Sequence, residues 1–317
     1  MTGMDRRGFC QAAGVSALLA GAAPTLLTAC SYAAEEPSSG GALDRARQRG
    51  YINAGISNEL PYAYTDKSGR LTGGMAELAK VIFAELGVDE VRPVLLDFAE
   101  LIAGLVASRC DMVAAGMFIT PERCALVTFA NPDFCAKTAF LVPKGNPAGL
   151  HTFEDVAKQP NLRLGVLAGA VEVGQAVAAG VPKSRIIRTF TDQSSAFEAL
   201  EAGRIQAISL TRISLARLVD THEDAPYEVT APFIPNIDGK ESIGCGAFAF
   251  RNEDSDLVRA WNGKLADLKS SGGLLRITRR FGFTEAELPG NRTSADMCSA
   301  SSPSGNTIDQ NPSHSGS

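Results

Sequence analysis

The chain has 317 residues, 30 Lys and Arg against 35 Asp and Glu, and a net charge of −5, which leaves no basic face for nucleic acid. Its three His and seven Cys contain no His–x–His or CxxC grouping, so neither a metal centre nor a cofactor is expected. The length suits two lobes of ordinary size.

The first 41 residues read as an address and a tether. Arg6 and Arg7 stand together in DRRGF, ahead of an apolar run at 12–27 that Gly14, Gly21 and Pro24 interrupt. That run is too broken for a membrane span. It ends in Leu27-Thr28-Ala29-Cys30, the pattern of a lipobox. Residues 1–29 are therefore expected to be a signal peptide of the twin-arginine type, with Cys30 lipidated as the anchor to the membrane. Residues 30–41, Cys30 followed by SYAAEEPSSGG, read as a flexible tether.

From residue 42, short β-rich runs alternate with amphipathic stretches. YINAGI at 51–56 predicts a strand and DKSGR at 66–70 a hairpin turn. Met75, Leu78, Ala79, Ile82, Phe83 and Leu86 give 74–86 a helical period. A strand at 91–96, a helix at 98–107, a buried strand at 112–115 and a strand from 126 follow. The pattern restarts after Lys137: strands at 138–142, 163–167, 186–190 and 206–209 alternate with helices from Thr152 and at 171–179, 194–202 and 210–219. Thr152 opens TFED, a capping signature, and Asp192 reads as an N-cap. IGCGAFAF at 243–250 predicts one strand returning to the first lobe, closed by helices at 256–270 and 273–281. Trp261 falls in register with Leu257, Leu265 and Leu268 and reads as core.

The expected class is α/β: two lobes joined by two hinge strands near 138–142 and 244–250. Lobe 1 takes 42–138 and 242–289, and lobe 2 takes 139–241. Residues 290–317 are rich in Ser, Asn, Gly and Pro and are expected to form a disordered tail, in which Cys298 is the one notable residue. Cys110, Cys124, Cys135, Cys245 and Cys298 form an odd set outside the signal and anchor, so at least one is unpaired. The spacing does not settle which pairs form.

The segment 95–131 concentrates the chemistry. GMFITPER delivers Thr120, Glu122 and Arg123 into a new helix start, where a guanidinium and unpaired N–H groups suit a carboxylate. An Arg at a helix start is disfavoured unless an anion joins it. Phe98 and Phe118 flank the motif, and Tyr62 follows Pro61 in the loop NELPYAY. An Arg with several aromatics suits a ligand that is both anionic and diffusely cationic. A binding protein is favoured over an enzyme. General acid–base work has only Glu59, Glu172 and Asp192 near the motif, and His151 and His222 lie away from the Arg123 loop.

The pattern DFxxLIxGLxxxxxDxxxxGMxITPER at 97–123, with GRLTGGMAELAKVIFAELG and VLAGAVEVGQA, resembles the extracellular solute-binding proteins of family 3 over essentially all of 42–289. NELPYAYTDKSGRLTG, GNPAGLHTFEDV and VLAGAVEVGQAVAAGVP are most similar to its ectoine and hydroxyectoine receptors. The resemblance implies a type II periplasmic-binding-protein fold that closes on its ligand. It implies a monomeric receptor that hands a small ectoine-like zwitterion to the permease subunits of an ABC importer. The cage for the cationic ring maps to Tyr62, Phe98 and Phe118, its acidic partner to Glu59, and the carboxylate ligand to Arg123. Gly116, Thr120, Ala170 and Val171 complete the expected site, with Ala170 standing where the family usually carries a hydroxyl. Thr211 stands where amino-acid receptors place an Asp to grip an ammonium, which favours a delocalised cation over a primary amine. The alternatives are a receptor for a polar amino acid or betaine, a cyclohexadienyl dehydratase-like enzyme on the same fold, and a sensor domain.

Overall fold

Helix Gly74–Glu85 buries Met75, Leu78, Ala79, Ile82 and Phe83, the residues whose spacing predicted it. Burying a side chain of this kind contributes roughly 1.5–3 kcal/mol relative to leaving it exposed. The computed structural model describes residues 40–299 apart from Glu223, Asp238 and Ser242. The signal peptide, Cys30 and most of the tether lie outside the described residues.

Two five-stranded sheets carry the two lobes. In the first the strand order is Glu90–Leu95, Tyr51–Ile56, Met112–Val113, Ala249–Phe250, Thr128–Phe129. The first three are parallel, and Ala249–Phe250 runs antiparallel to both of its neighbours. In the second the order is Ile186–Phe190, Leu164–Leu167, Ala207–Thr211, Thr138–Pro143, Tyr227–Val229, again parallel at one side and antiparallel at the other.

Alternation along the strands splits each core in two. Met112 and Ala114 join one apolar cluster and Val113 and Ala115 another. In the second lobe Ala139 and Leu141 face one way, Phe140 and Val142 the other. Each sheet is thus covered on both faces, as parallel sheets require. Trp261 is fully buried, with its ring 4.2 Å from Phe248 and 5.4 Å from Phe83.

The lobes are joined by an antiparallel pair, Phe134–Ala136 with Gly244–Gly246, in which Cys135 stands opposite Cys245 and is bonded to it. This differs from the expected hinge. Residues 138–142 belong to the second sheet, and the crossing occurs just before them. Residues 243–250 do not form one strand. They break into Gly244–Gly246 and Ala249–Phe250 because the two pieces pair with different partners. The helix expected at 210–219 begins at Arg212, since the preceding strand runs on through Thr211. Helix Ala42–Arg49 extends the fold at its start.

The expectation of a disordered tail is corrected over 290–299. Thr293 and Asp296 form a capping box at helix Ser294–Cys298, and Cys298 is bonded to Cys124. Composition averaged over 28 residues hides a five-residue helix held by a capping pair and a covalent bond. Cys110 is free and buried, and burial pushes its thiol up to about 11.

Candidate functional site

Thr120 ends an extended segment, and its side chain accepts the Arg123 backbone N–H at 3.3 Å, starting helix Pro121–Cys124. The turn aims the Arg123 side chain into the space between the lobes. There Nη1 donates to the Phe118 carbonyl at 2.6 Å and Nη2 to the Gly169 carbonyl of the second lobe at 2.9 Å. Its Cζ lies 5.6 Å from the Phe98 ring centre. Both acceptors are neutral. Burial pulls the guanidinium down to about 10, against the charges of Glu172 and Glu122, which raise it.

Tyr62 is 1% exposed. Its ring lies 4.9 Å from Phe134, and Phe118 lies 5.9 Å from the same ring. Gly116 lets this packing happen: at φ +64° it sits where an added Cβ would come within 2.5 Å of the Tyr62 ring. The Tyr62 hydroxyl meets Thr211 Oγ1 at 2.7 Å, across the lobes. Thr211 also caps helix Arg212–Asp220 by accepting the Ser214 N–H.

Glu59 is buried and accepts from Ser214 Oγ at 2.8 Å. Burial raises its carboxyl to about 8, the Ser214 bond lowers it, and the Glu172 charge raises it further. Glu172, in the first turn of helix Glu172–Ala178, is also buried. Its carboxyl is raised by burial to about 7, while its own backbone N–H and the Arg123 charge pull it down.

Of the expected residues, Glu59, Tyr62, Phe98, Gly116, Phe118, Arg123, Ala170, Val171 and Thr211 line one cleft. Thr120 does not line it and acts through the cap beneath Arg123. The Ala170 N–H is used in a turn to the Leu167 carbonyl at 3.1 Å. Glu172, Leu167 and Leu210 also line the cleft, and Ser214 stands behind Glu59. Glu172 follows the loop residues already singled out, and Ser214 lies one helical turn after Thr211. Those spacings were the available signal. Asp192 caps helix Gln193–Glu201.

The cleft is bridged by Tyr62–Thr211, Arg123–Gly169 and Ser214–Glu59, each joining one lobe to the other. Two buried carboxyl groups, one partly buried guanidinium and three aromatic rings therefore surround a space that opens where strand ends meet helix starts. Such an arrangement suits a small zwitterion or cationic amino acid. Residues 52–285 match the model of the bacterial extracellular solute-binding proteins, family 3. The chain belongs to that family.

Among family 3 relatives, a probable amino-acid ABC transporter periplasmic-binding protein, y4tE of Sinorhizobium fredii (strain NBRC 101917 / NGR234), is 35% identical over 263 residues, covering 81% of this chain and 86% of that one. The L-cystine-binding protein TcyJ of Escherichia coli (strain K12) is 26% identical over 243 residues, 76% of this chain and 86% of its own. Among solved structures, EhuB in complex with hydroxyectoine superposes with a TM-score of 0.74 at 34% identity, covering 82% of this chain and 98% of that one. An ancestral arginine-binding protein bound to glutamine gives 0.64 at 30% identity, with 74% and 98% covered. The fold is the type II periplasmic-binding-protein fold, and the protein is a solute-binding receptor of family 3.

Proposed function

We propose that the protein is the extracytoplasmic receptor of an ABC importer and that its cleft takes an ectoine-type zwitterion. The carrying observation is the convergence of Arg123, the rings of Tyr62, Phe98 and Phe118, and Glu59 on one interlobe space. In this reading the ligand carboxylate meets Arg123 beside Val171, the cationic ring lies among the aromatics, and Glu59 faces the ring nitrogens. Three of the five guanidinium donors are uncommitted in the two carbonyl bonds to Phe118 and Gly169, and suit a carboxylate. Thr211, a neutral group tied to Tyr62, supports a delocalised cation rather than a primary ammonium. The likeness to EhuB supports the same ligand class. The chemistry calls for capture rather than turnover.

A second reading, a cationic amino acid such as arginine, is favoured by one observation. Glu59 and Glu172 together outnumber the one guanidinium that lines the cleft, so a ligand with one carboxylate and two cationic groups would balance it.

Calorimetry with ectoine, hydroxyectoine, arginine and glutamine tests both. A desolvated cation–π contact is worth up to roughly 2 kcal/mol, so Phe118→Ala should weaken ectoine binding about tenfold or more. Arg123→Ala should lose on the order of 2–5 kcal/mol by stranding the carboxylate. Wild-type protein that ignores both ectoines and binds arginine would sink the first reading in favour of the second.

A further inference from the structure

Arg123 sits in a helix of only four residues, Pro121–Cys124, none of them buried. One turn of helix is marginal by itself, and this one packs against an apolar cluster only through the partly buried Cys124. Yet Arg123 must keep its fork aligned on a carboxylate, which depends on a backbone held to a fraction of an ångström. The Thr120 cap holds the start of the turn, and a second tie reaches its end from residue 298.

We propose that the Cys124–Cys298 disulfide makes the C-terminal helix Ser294–Cys298 a strap that positions Arg123 for ligand. Cys124 is the next residue after Arg123, so the two side chains leave the turn in different directions and the bond fixes the backbone without obstructing the guanidinium. The strap is itself anchored. Asp296 accepts from the Thr293 N–H at 3.1 Å and hydroxyl at 2.7 Å. The Ser294 N–H donates to Asn131 Oδ1 at 3.2 Å, and the Asn131 N–H donates to Asn262 on the long helix Ser255–Ser270 at 2.8 Å. Met297 and Cys298 pack against the apolar cluster that contains Phe98, Ile119 and Val127, so the strap braces the aromatic side of the cleft as well.

The match to the family model stops at residue 285. The strap lies beyond the matched residues, and it reaches back to the residue beside Arg123. Cys298 is a positioning residue, acting on ligand through the Arg123 turn. The ligand half of this role rests on the proposed carboxylate contact of Arg123, while the mechanical half does not.

The test compares full-length wild type with Cys124→Ser/Cys298→Ser, at two partly buried sites. Hydrogen exchange reads the turn directly, through the amides of Cys124, Ala125 and Val127, which bond to Thr120, Pro121 and Arg123. Those amides should exchange at least about tenfold faster in the variant, with the second-lobe amides unchanged as the folding control. Ectoine affinity by calorimetry should fall about tenfold, and the same pair of cysteine changes in an Arg123→Lys background should lose less than about twofold more. Unchanged exchange at 124–127 overturns the strap whatever the ligand. Faster exchange with ectoine affinity within twofold of wild type, or an equal further loss in the Arg123→Lys background, overturns the positioning role. A wild type that binds arginine and ignores ectoine refutes the ectoine reading alone, and the same affinity comparison is then made with arginine.

Discussion

The hydroxyl of Tyr62 in the first lobe and the hydroxyl of Thr211 in the second stand 2.7 Å apart and bridge the cleft. Neither is accessible: Tyr62 is 1% exposed and Thr211 6%. The bond therefore exists only when the lobes are together, and it reports closure.

Tyr62→Phe keeps the ring and removes the bridge. A hydrogen bond of this kind contributes about 0.5–1.5 kcal/mol net, and the change leaves the Thr211 hydroxyl with one partner fewer. Ligand affinity should fall roughly threefold to tenfold, and solution scattering should show a larger radius of gyration for the ligand-free variant than for wild type. Identical scattering curves and affinities would mean that the bridge does not contribute to closure.

Gly116→Ala should be far more damaging than its size suggests. The position has φ +64°, and a Cβ there meets the Tyr62 ring. Strain and overlap together should cost about 2–4 kcal/mol of stability and displace the ring that the ligand would use. Urea unfolding gives the first quantity and calorimetry the second. A variant as stable as wild type would show that Tyr62 has room to move.

The buried carboxyls set a pH dependence. Glu59 is raised from 4.5 to about 8 and Glu172 from 4.5 to about 7, each chiefly by burial. Between pH 4.5 and 8 the unfolded chain releases protons that the folded one retains, so ligand-free stability falls as pH rises through that window. Glu59→Gln should flatten the fall, read as the difference in melting temperature between pH 5 and pH 8. A cationic ligand favours the carboxylate form. Binding near neutral pH should therefore release a proton, and affinity should rise toward pH 8. Calorimetry in two buffers of different ionisation heat measures that proton, and proton uptake in place of release would contradict the contact with Glu59.

The lipid anchor expected at Cys30 lies outside the described residues and is open to a direct test. Cys30→Ser should leave the protein extracytoplasmic but unattached to membrane, and Arg6→Lys/Arg7→Lys should block export by the twin-arginine route. Membrane fractions that retain the Cys30→Ser protein would remove the lipid anchor, and normal export of the Lys pair would point to the general route.

Much of this architecture was legible because burial imposes a period. Helix Gly74–Glu85 and strand Tyr51–Ile56 are spelled by apolar spacing, and Arg123 and Thr120 by the chemistry of a helix start. Where partners are remote in sequence, the signal vanished. Nothing local to 243–250 says that the strand divides between two partners, and nothing in the Ser-rich tail says that Cys298 finds Cys124 across a separation of 174 residues. Glu172 was readable as a carboxyl near a loop, but its place opposite Glu59 depends on how the lobes meet.

Strand Ala249–Phe250 lies between Met112–Val113 and Thr128–Phe129 in the first sheet. This fixes an order of completion during synthesis. Every strand of the second sheet has emerged by residue 229, whereas the first sheet keeps a gap between Met112–Val113 and Thr128–Phe129 until residue 250 follows. A nascent chain halted in between would hold a finished second lobe beside an open first one, with the edges of Val113 and Phe129 unpaired and free to recruit a strand from a neighbour. The lobe that supplies Arg123 and all three aromatics, though begun first, is the last to close.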